Sequence, residues 1–278
     1  MYNLIKQSKI NEISLVEEKI KSALKLKPTV LDDYFKTFLF NGAKRLRPLF
    51  IFLVSDLLNF EIDEPTINLA AGIELLHSAS LIHDDILDDG ELRRGNPPIH
   101  IEKGIKTGVL AGDYLLSLSI LFFSKINNPK IFEIMGNTSY IMTKSEIQGL
   151  SQRFKKPDIE TYIKTSKEKT SSLFISSIKA LEEIKGVKID KKIIEFTEKF
   201  SLCFQIKDDI NNFFGKDKNK ISSDKNEGVY TLPFILENNT IVEAENFLNN
   251  LICEGENLLK EYKNKEKLIK LLDLFKGK

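Results

Sequence analysis

Two short acidic strings are the residues of this sequence best suited to chemistry. In His83-Asp84-Asp85-Ile86-Leu87-Asp88, Asp84 and Asp88 are four positions apart. On a helix their carboxylates stand one turn apart on one face, with Asp85 about 100° round. Carboxylates this close repel one another unless a cation lies between them. Mg²⁺ suits that place, because it takes one or two protein carboxylates and keeps waters or phosphate oxygens as its other ligands. Gln205-Ile206-Lys207-Asp208-Asp209-Ile210-Asn211-Asn212 repeats the arrangement. Both strings come late in apolar helical stretches, where acidic charge opposes the helix dipole, whereas Asp32-Asp33 falls near the start of a helix and is favoured there. One such string alone reads equally well as a solvated helix end. Two of them facing each other would share a set of Mg²⁺ ions around a diphosphate.

Cationic turns fit the same chemistry. Gly42-Ala43-Lys44-Arg45-Leu46-Arg47-Pro48 places three cations between two helices, and Arg93-Arg94-Gly95-Asn96-Pro97 places two more just past the first acidic string. Arginine forks match phosphate oxygens, and lysine acts as a point charge. His77 lies two helical turns before Asp84; a lone helical histidine is more often a satisfied core residue. With three histidines and no CxxC pair, a zinc site has little support. No GxxxxGK[ST] loop is present, so nucleoside-triphosphate chemistry has none.

The elements that must position these residues read as helices. Leu31, Tyr34, Phe35 and Phe38 follow helical spacing, and Pro48 and Pro65 sit where helices open. The stretch from Pro65 to Asp88 carries no formal charge between Glu74 and Asp84, which predicts a central, buried helix. Helical patterns cover roughly 108–125, 130–150, 158–183, 190–214, 230–237, 241–262 and 264–276. Asp89–Gly104 and Gly215–Gly228 read as loops. No period-2 stretch, hairpin signal, linker or repeat stands out. The expectation is one all-α domain over residues 1–278, a bundle of about ten or more helices around a central apolar cavity.

Composition bounds the function. Of 278 residues, 42% are hydrophobic and 29% charged, with 41 Lys and Arg against 40 Asp and Glu. That near-neutral balance disfavours a nucleic-acid binder. Cys203 and Cys253 read as small buried thiols in a reducing cytoplasm. The N-terminus lacks the apolar core of a secretory signal. The longest run without charge, Tyr114–Ser124, has 11 residues, short of the ~20 of a membrane span.

Taken in order, these segments resemble the trans-isoprenyl diphosphate synthases, the polyprenyl synthetase family. His77…His83-Asp84-Asp85-Ile86-Leu87-Asp88…Arg93-Arg94-Gly95 is similar to the first aspartate-rich motif and its flanks, and Phe204-Gln205-Ile206-Lys207-Asp208-Asp209 to the second. Gly42–Pro48 resembles GGKRxRP. Lys169-Thr170, Ala111–Leu115 and Glu227-Gly228…Thr231-Leu232-Pro233 add further matches. The resemblance implies the isoprenoid synthase fold, usually as a homodimer. It implies joining of isopentenyl diphosphate to an allylic diphosphate, with farnesyl diphosphate as primer, by three Mg²⁺ ions that Mn²⁺ can replace. Lys44, Arg47, His77 and Arg94 would hold isopentenyl diphosphate. Arg93, Lys169, Thr170 and Gln205 would hold the allylic diphosphate. Asp84, Asp88 and Asp208 would ligate metal, with Asp85 and Asp209 in support; Asp84, Asp85, Asp88, Arg93, Lys169 and Asp208 form the implied catalytic set.

Product length is read at Ala79 and Ser80, five and four residues before Asp84. In this family a bulky aromatic at the first position marks short-chain producers, so two small residues imply a long product, octaprenyl being the central expectation. The tunnel floor is expected among Phe122, Phe123, Phe132 and Met135. Three departures from the family pattern stand out: Asn212 for a usual Asp, Val229 for a common Lys, and Gln148 one position away from a polar ligand. Asn212 and Val229 leave a weakly active or regulatory subunit of a heteromeric synthase as the first alternative; a farnesyl or geranylgeranyl synthase is another. A terpene cyclase would have no use for Lys44, Arg47 and Arg94.

Overall fold

The helical reading holds. A computed structural model describes residues 1–24, 31–213, 228, 230–236 and 241–276, and among these there is no strand, only an isolated bridge between Arg93 and Asn96. Contacts divide the chain into two compact units. One comprises Lys6–Phe132 with Glu183–Gly186; the other comprises Met1–Ile5, Glu133–Glu182 and Val187–Lys278.

A short helix α1 (Tyr2–Gln7) precedes the helices of the first unit. These are α2 (Ile10–Ala23), α3 (Asp32–Phe40), α4 (Leu46–Leu57), α5 (Glu64–Leu87), α6 (Ile99–Lys103) and α7 (Ile105–Ser124). The helix α5 starts where Asp63 caps it: its carboxylate accepts from the Thr66 N–H at 3.1 Å, with Pro65 in the first turn. From Thr66 to Leu76 every residue of α5 is buried, so this is a core helix on all sides. Two glycines of α7 and one of α5 let these helices approach closely. The Phe123 ring lies where a Cβ on Gly72 would be, His83 lies against Gly112, and Ile86 against Gly108.

The α7 helix is long and apolar enough to span a membrane by length and composition, with a mean hydropathy of 1.5 over its best window. Its Ala111, Gly112, Leu115, Leu118, Phe122 and Phe123 are nevertheless buried within the unit. Two helices depart from the sequence reading. The α2 helix was not anticipated, although Ile13, Val16 and Ile20 form its buried stripe. The short α6 interrupts the loop expected over Asp89–Gly104, and Pro98 immediately precedes it.

The second unit contains most of α8 (Pro129–Gln152), then α9 (Ile159–Ser166), a π-helical turn (Lys167–Ser171) and α10 (Ser172–Lys185). These are followed by α11 (Lys191–Phe213), α12 (Leu232–Ile235), α13 (Ile241–Leu258), α14 (Glu266–Leu272) and a 3-10 turn (Asp273–Phe275). Its core centres on α11, where Phe200 meets Phe174 at 5.7 Å and Phe275 at 5.3 Å. Cys203 is buried there, and burial pushes its thiol up to about 12. Cys253 is exposed on α13, contrary to expectation, because its helix is amphipathic and 253 falls outside the buried set Ala244, Leu248, Ile252 and Gly255.

Candidate active site in two half-sites

In the first unit the acidic string closes α5. Asp84 lies half-buried in the last turn of the helix, and Asp88 is its exposed C-cap residue, its N–H bonded to the Asp84 carbonyl at 2.9 Å. Asp85 turns inward and is 5% exposed. Arg93 Nε donates to both Asp85 oxygens, at 2.7 and 2.6 Å. Arg94 and Gly95 follow, both at positive φ (53° and 80°), between a mutually hydrogen-bonded Arg93 and Asn96. This tight hairpin turn needs left-handed backbone at both centres, hence the glycine. Arg94 Nη1 donates to the Phe38 carbonyl at 3.4 Å.

The isopentenyl-side residues named from the sequence also belong to this unit. Arg47 is buried in the first turn of α4, and burial lowers its guanidinium to about 10, opposed by the charge of Glu74. Burial lowers Arg94 too, with the like charges of Arg93 and Arg45 adding to it. His77 on α5 is held well below 6.5 by burial and by Arg47, Arg93 and Arg94. Lys44 is exposed just before α4.

The residue that sequence reasoning left without a role is Arg45. It is 2% exposed, left-handed at φ 58°, and donates to Glu17 at 3.0 Å, Glu74 at 2.9 Å and the Leu39 carbonyl. The signal was present in its cationic motif, but nothing local marks Glu17 and Glu74 as its partners. Of the chain-length pair, Ala79 is buried and Ser80 half-buried, its hydroxyl returned to the His77 carbonyl at 2.8 Å. Phe122 and Phe123 are buried on α7 and Met135 on α8. Phe132 is 42% exposed, which removes it from the expected floor.

In the second unit Asp208 is exposed on α11 while Asp209, one position on, is 4% exposed. Burial raises the Asp209 carboxyl to about 6 against three donors. Tyr162 Oη donates to its Oδ2 at 2.6 Å, the Leu232 N–H to the same atom at 3.2 Å, and Gln205 Nε2 to its Oδ1 at 2.9 Å. Thr170 Oγ1 donates to Gln205 Oε1 at 2.7 Å. Lys169 pairs with Glu146 at 2.7 Å. Asn212 is half-buried at the end of α11. Val229 and most of the loop 215–228 lie outside the described residues.

Among the described residues no group of three His, Cys, Asp or Glu forms a ready-made metal cage. Within the first unit Asp84 and Asp88 offer two carboxylates one helical turn apart, and within the second Asp208 offers one exposed carboxylate; carboxylates so placed suit an ion that completes its shell with phosphate oxygens and water, as Mg²⁺ does.

Residues 28–272 match the profile of the Polyprenyl synthetase family. The heptaprenyl diphosphate synthase component 2 of Geobacillus stearothermophilus is 30% identical over 232 residues, 81% of this chain and 72% of that protein. The short chain isoprenyl diphosphate synthase of Methanocaldococcus jannaschii is 30% identical over 80% of this chain and 70% of its own length. In structure, a decaprenyl diphosphate synthase from Rhodobacter capsulatus superposes with a TM-score of 0.87 over 99% of this chain and 98% of that one, at 20% identity. That likeness shows the isoprenoid synthase fold.

Proposed function

Because the chain belongs to the polyprenyl synthetase family, whose members are prenyltransferases, we propose that it condenses isopentenyl diphosphate with an allylic diphosphate. The product on this reading is a long all-trans polyprenyl diphosphate, octaprenyl the central expectation. The observation that carries the reading is the crowding of Arg47, Arg93 and Arg94 about a neutral His77. Like charges gathered about one buried imidazole cost stability, and a multiply charged anion offsets that cost.

On this reading Lys44, Arg47, Arg94 and His77 hold isopentenyl diphosphate. Arg93, Lys169, Thr170 and Gln205 serve the allylic diphosphate. Asp84, Asp88 and Asp208 would hold Mg²⁺, which when bound neutralises the charge that grows on the leaving diphosphate. Asp85 supports by fixing Arg93. The protein supplies position and electrostatics rather than a side-chain nucleophile: the allylic C–O bond breaks and its electron pair leaves with diphosphate, the isopentenyl double bond attacks the resulting allylic cation, and the released diphosphate takes the proton as the new double bond forms.

The outer face of α7 exposes Leu110, Ile120 and Leu121, each about half uncovered or more, which supports a homodimer formed there. Free Cys203 and Cys253 agree with a reducing cytoplasm. Small Ala79 and Ser80 support the long product.

A second reading, a subunit of a heteromeric synthase, is favoured by Asn212 and by a relative named as component 2. Purified protein incubated alone with Mg²⁺, farnesyl diphosphate and labelled isopentenyl diphosphate separates the two. Long-chain product is expected, and complete inactivity would favour the heteromeric reading.

A further inference from the structure

We propose that Tyr162 is a positioning residue for the allylic diphosphate, acting through a buried Asp209 that is an anchor and not a metal ligand. The inference rests on the functional reading above. Asp208 and Asp209 are neighbours in sequence with opposite surroundings, one exposed and the other buried with three donors on its two oxygens. An ionised carboxylate only accepts, so it draws the NH₂ side of the Gln205 carboxamide towards itself. Thr170 donates to the other side, at Gln205 Oε1. The amide is thereby fixed with its second N–H left for a phosphate oxygen. Thr170 has one hydroxyl proton and uses it on Gln205, so Thr170 also serves the diphosphate through that amide.

The backbone is shaped for this arrangement. Tyr162, Ser166 and Thr170 are spaced by four, and in an unbroken α-helix such a row drifts round the axis by about 40° at each step. The π-helical turn Lys167–Ser171, with the Ser172 N–H bonded to the Lys167 carbonyl, spreads one turn over more residues and corrects the drift. All three residues are buried, and Ser166 hydrogen-bonds the Tyr162 hydroxyl. The chain Ser166, Tyr162, Asp209, Gln205, Thr170 therefore joins α9 and the π turn to α11, and the Leu232 N–H ties the start of α12 to the same carboxylate.

Steady-state kinetics of the full chain test this, with each substrate varied in turn for wild type, Tyr162→Phe and Ser166→Ala. Tyr162→Phe should raise KM for the allylic diphosphate about tenfold, the loss expected of one hydrogen bond to a charged group. KM for isopentenyl diphosphate should stay within about twofold, a split that general damage to the fold would not give. Ser166→Ala, which carries the test if Tyr162→Phe does not fold, should move the same constant less. The Mg²⁺ concentration for half-maximal rate should rise in Asp208→Asn and stay at the wild-type value in Asp209→Asn and Tyr162→Phe. Equal rises for both substrates, no change for either, or a raised Mg²⁺ requirement in Tyr162→Phe overturns the inference while the wild type remains active. A wild type with no prenyl transfer at all overturns the functional reading itself.

Discussion

Arg93 donates through Nε to both carboxylate oxygens of Asp85, at 2.7 and 2.6 Å, across the turn that leaves α5. The pair divides the first acidic string by burial. Asp85 points inward and fixes an arginine, whereas Asp84 is half-buried and Asp88 exposed, one turn apart. The same division recurs on α11, where Asp209 is buried among donors and Asp208 is exposed.

This division predicts different losses from three similar substitutions. Asp84→Asn and Asp88→Asn should lower kcat by about 10²–10³ or more, the cost of losing a group that stabilises the developing charge. Both should also raise the Mg²⁺ requirement. Asp85→Asn should leave that requirement in place and raise KM for the allylic diphosphate, because it loosens Arg93. Excess EDTA should abolish activity and added Mg²⁺ or Mn²⁺ restore it. Turnover in chelator would contradict the metal assignment, and Asn212→Asp should be mild or activating.

The Arg45 cluster yields a prediction about stability. Its guanidinium is buried with Glu74 and half-shielded Glu17. Removing one partner of a buried ion pair leaves a stranded charge and costs about 3–5 kcal/mol. Arg45→Met should therefore lower the urea midpoint strongly, and Glu17→Gln, at the more exposed end, should lower it far less. Equal small effects in both variants would show that the cluster contributes little.

How much of this was legible in the sequence follows from how local each signal is. The helices α5, α7 and α11 could be read because their apolar runs, caps and prolines lie within the element. The acidic strings and the Lys169-Thr170 pair were legible as short patterns. What escaped are partners distant in the chain: Glu17 and Glu74 on Arg45, Glu146 on Lys169, Tyr162 on Asp209. No spacing rule connects residues 47 positions apart, and neighbouring aspartates such as 208 and 209 look alike until burial separates them. Phe132 failed for a related reason: an aromatic on a helix does not declare which side faces the core.

His77 should make stability depend on pH. Burial and the arginines hold the folded imidazole well below 6.5, so below that pH the unfolded chain binds a proton that the native state refuses. Stability at this residue is thus complete above pH 6.5 and falls as pH drops below it. Tm measured from pH 7.5 to 5.5 should fall less in His77→Asn than in wild type. Inorganic diphosphate, by neutralising the arginines, should raise the imidazole pKa, which NMR titration of the His77 ring can follow. A ring already protonated at pH 7 without ligand would contradict this electrostatic picture.

Product length is tested at Ala79. Its side chain is 2% exposed, five residues before Asp84 on the buried helix α5, so a larger residue there must displace something. Two outcomes separate by physics. In a solidly packed core, Ala79→Tyr overpacks and costs about 1–3 kcal/mol or more, with all activities reduced together. If instead the growing chain passes this position, the new ring occupies the path of the product. Stability then changes little, and the first condensation is retained while elongation stops at farnesyl or geranylgeranyl diphosphate. Chromatography of wild-type and Ala79→Tyr products, with Tm measured on the same samples, distinguishes the cases. The expectation is a long wild-type product and a short mutant product at near wild-type Tm. A wild type that stops at farnesyl, or a mutant with unchanged product length, would show that Ala79 does not govern elongation. In the mutant, restoring length by a second change of Phe122 to Ala on α7 would place that buried ring along the same path.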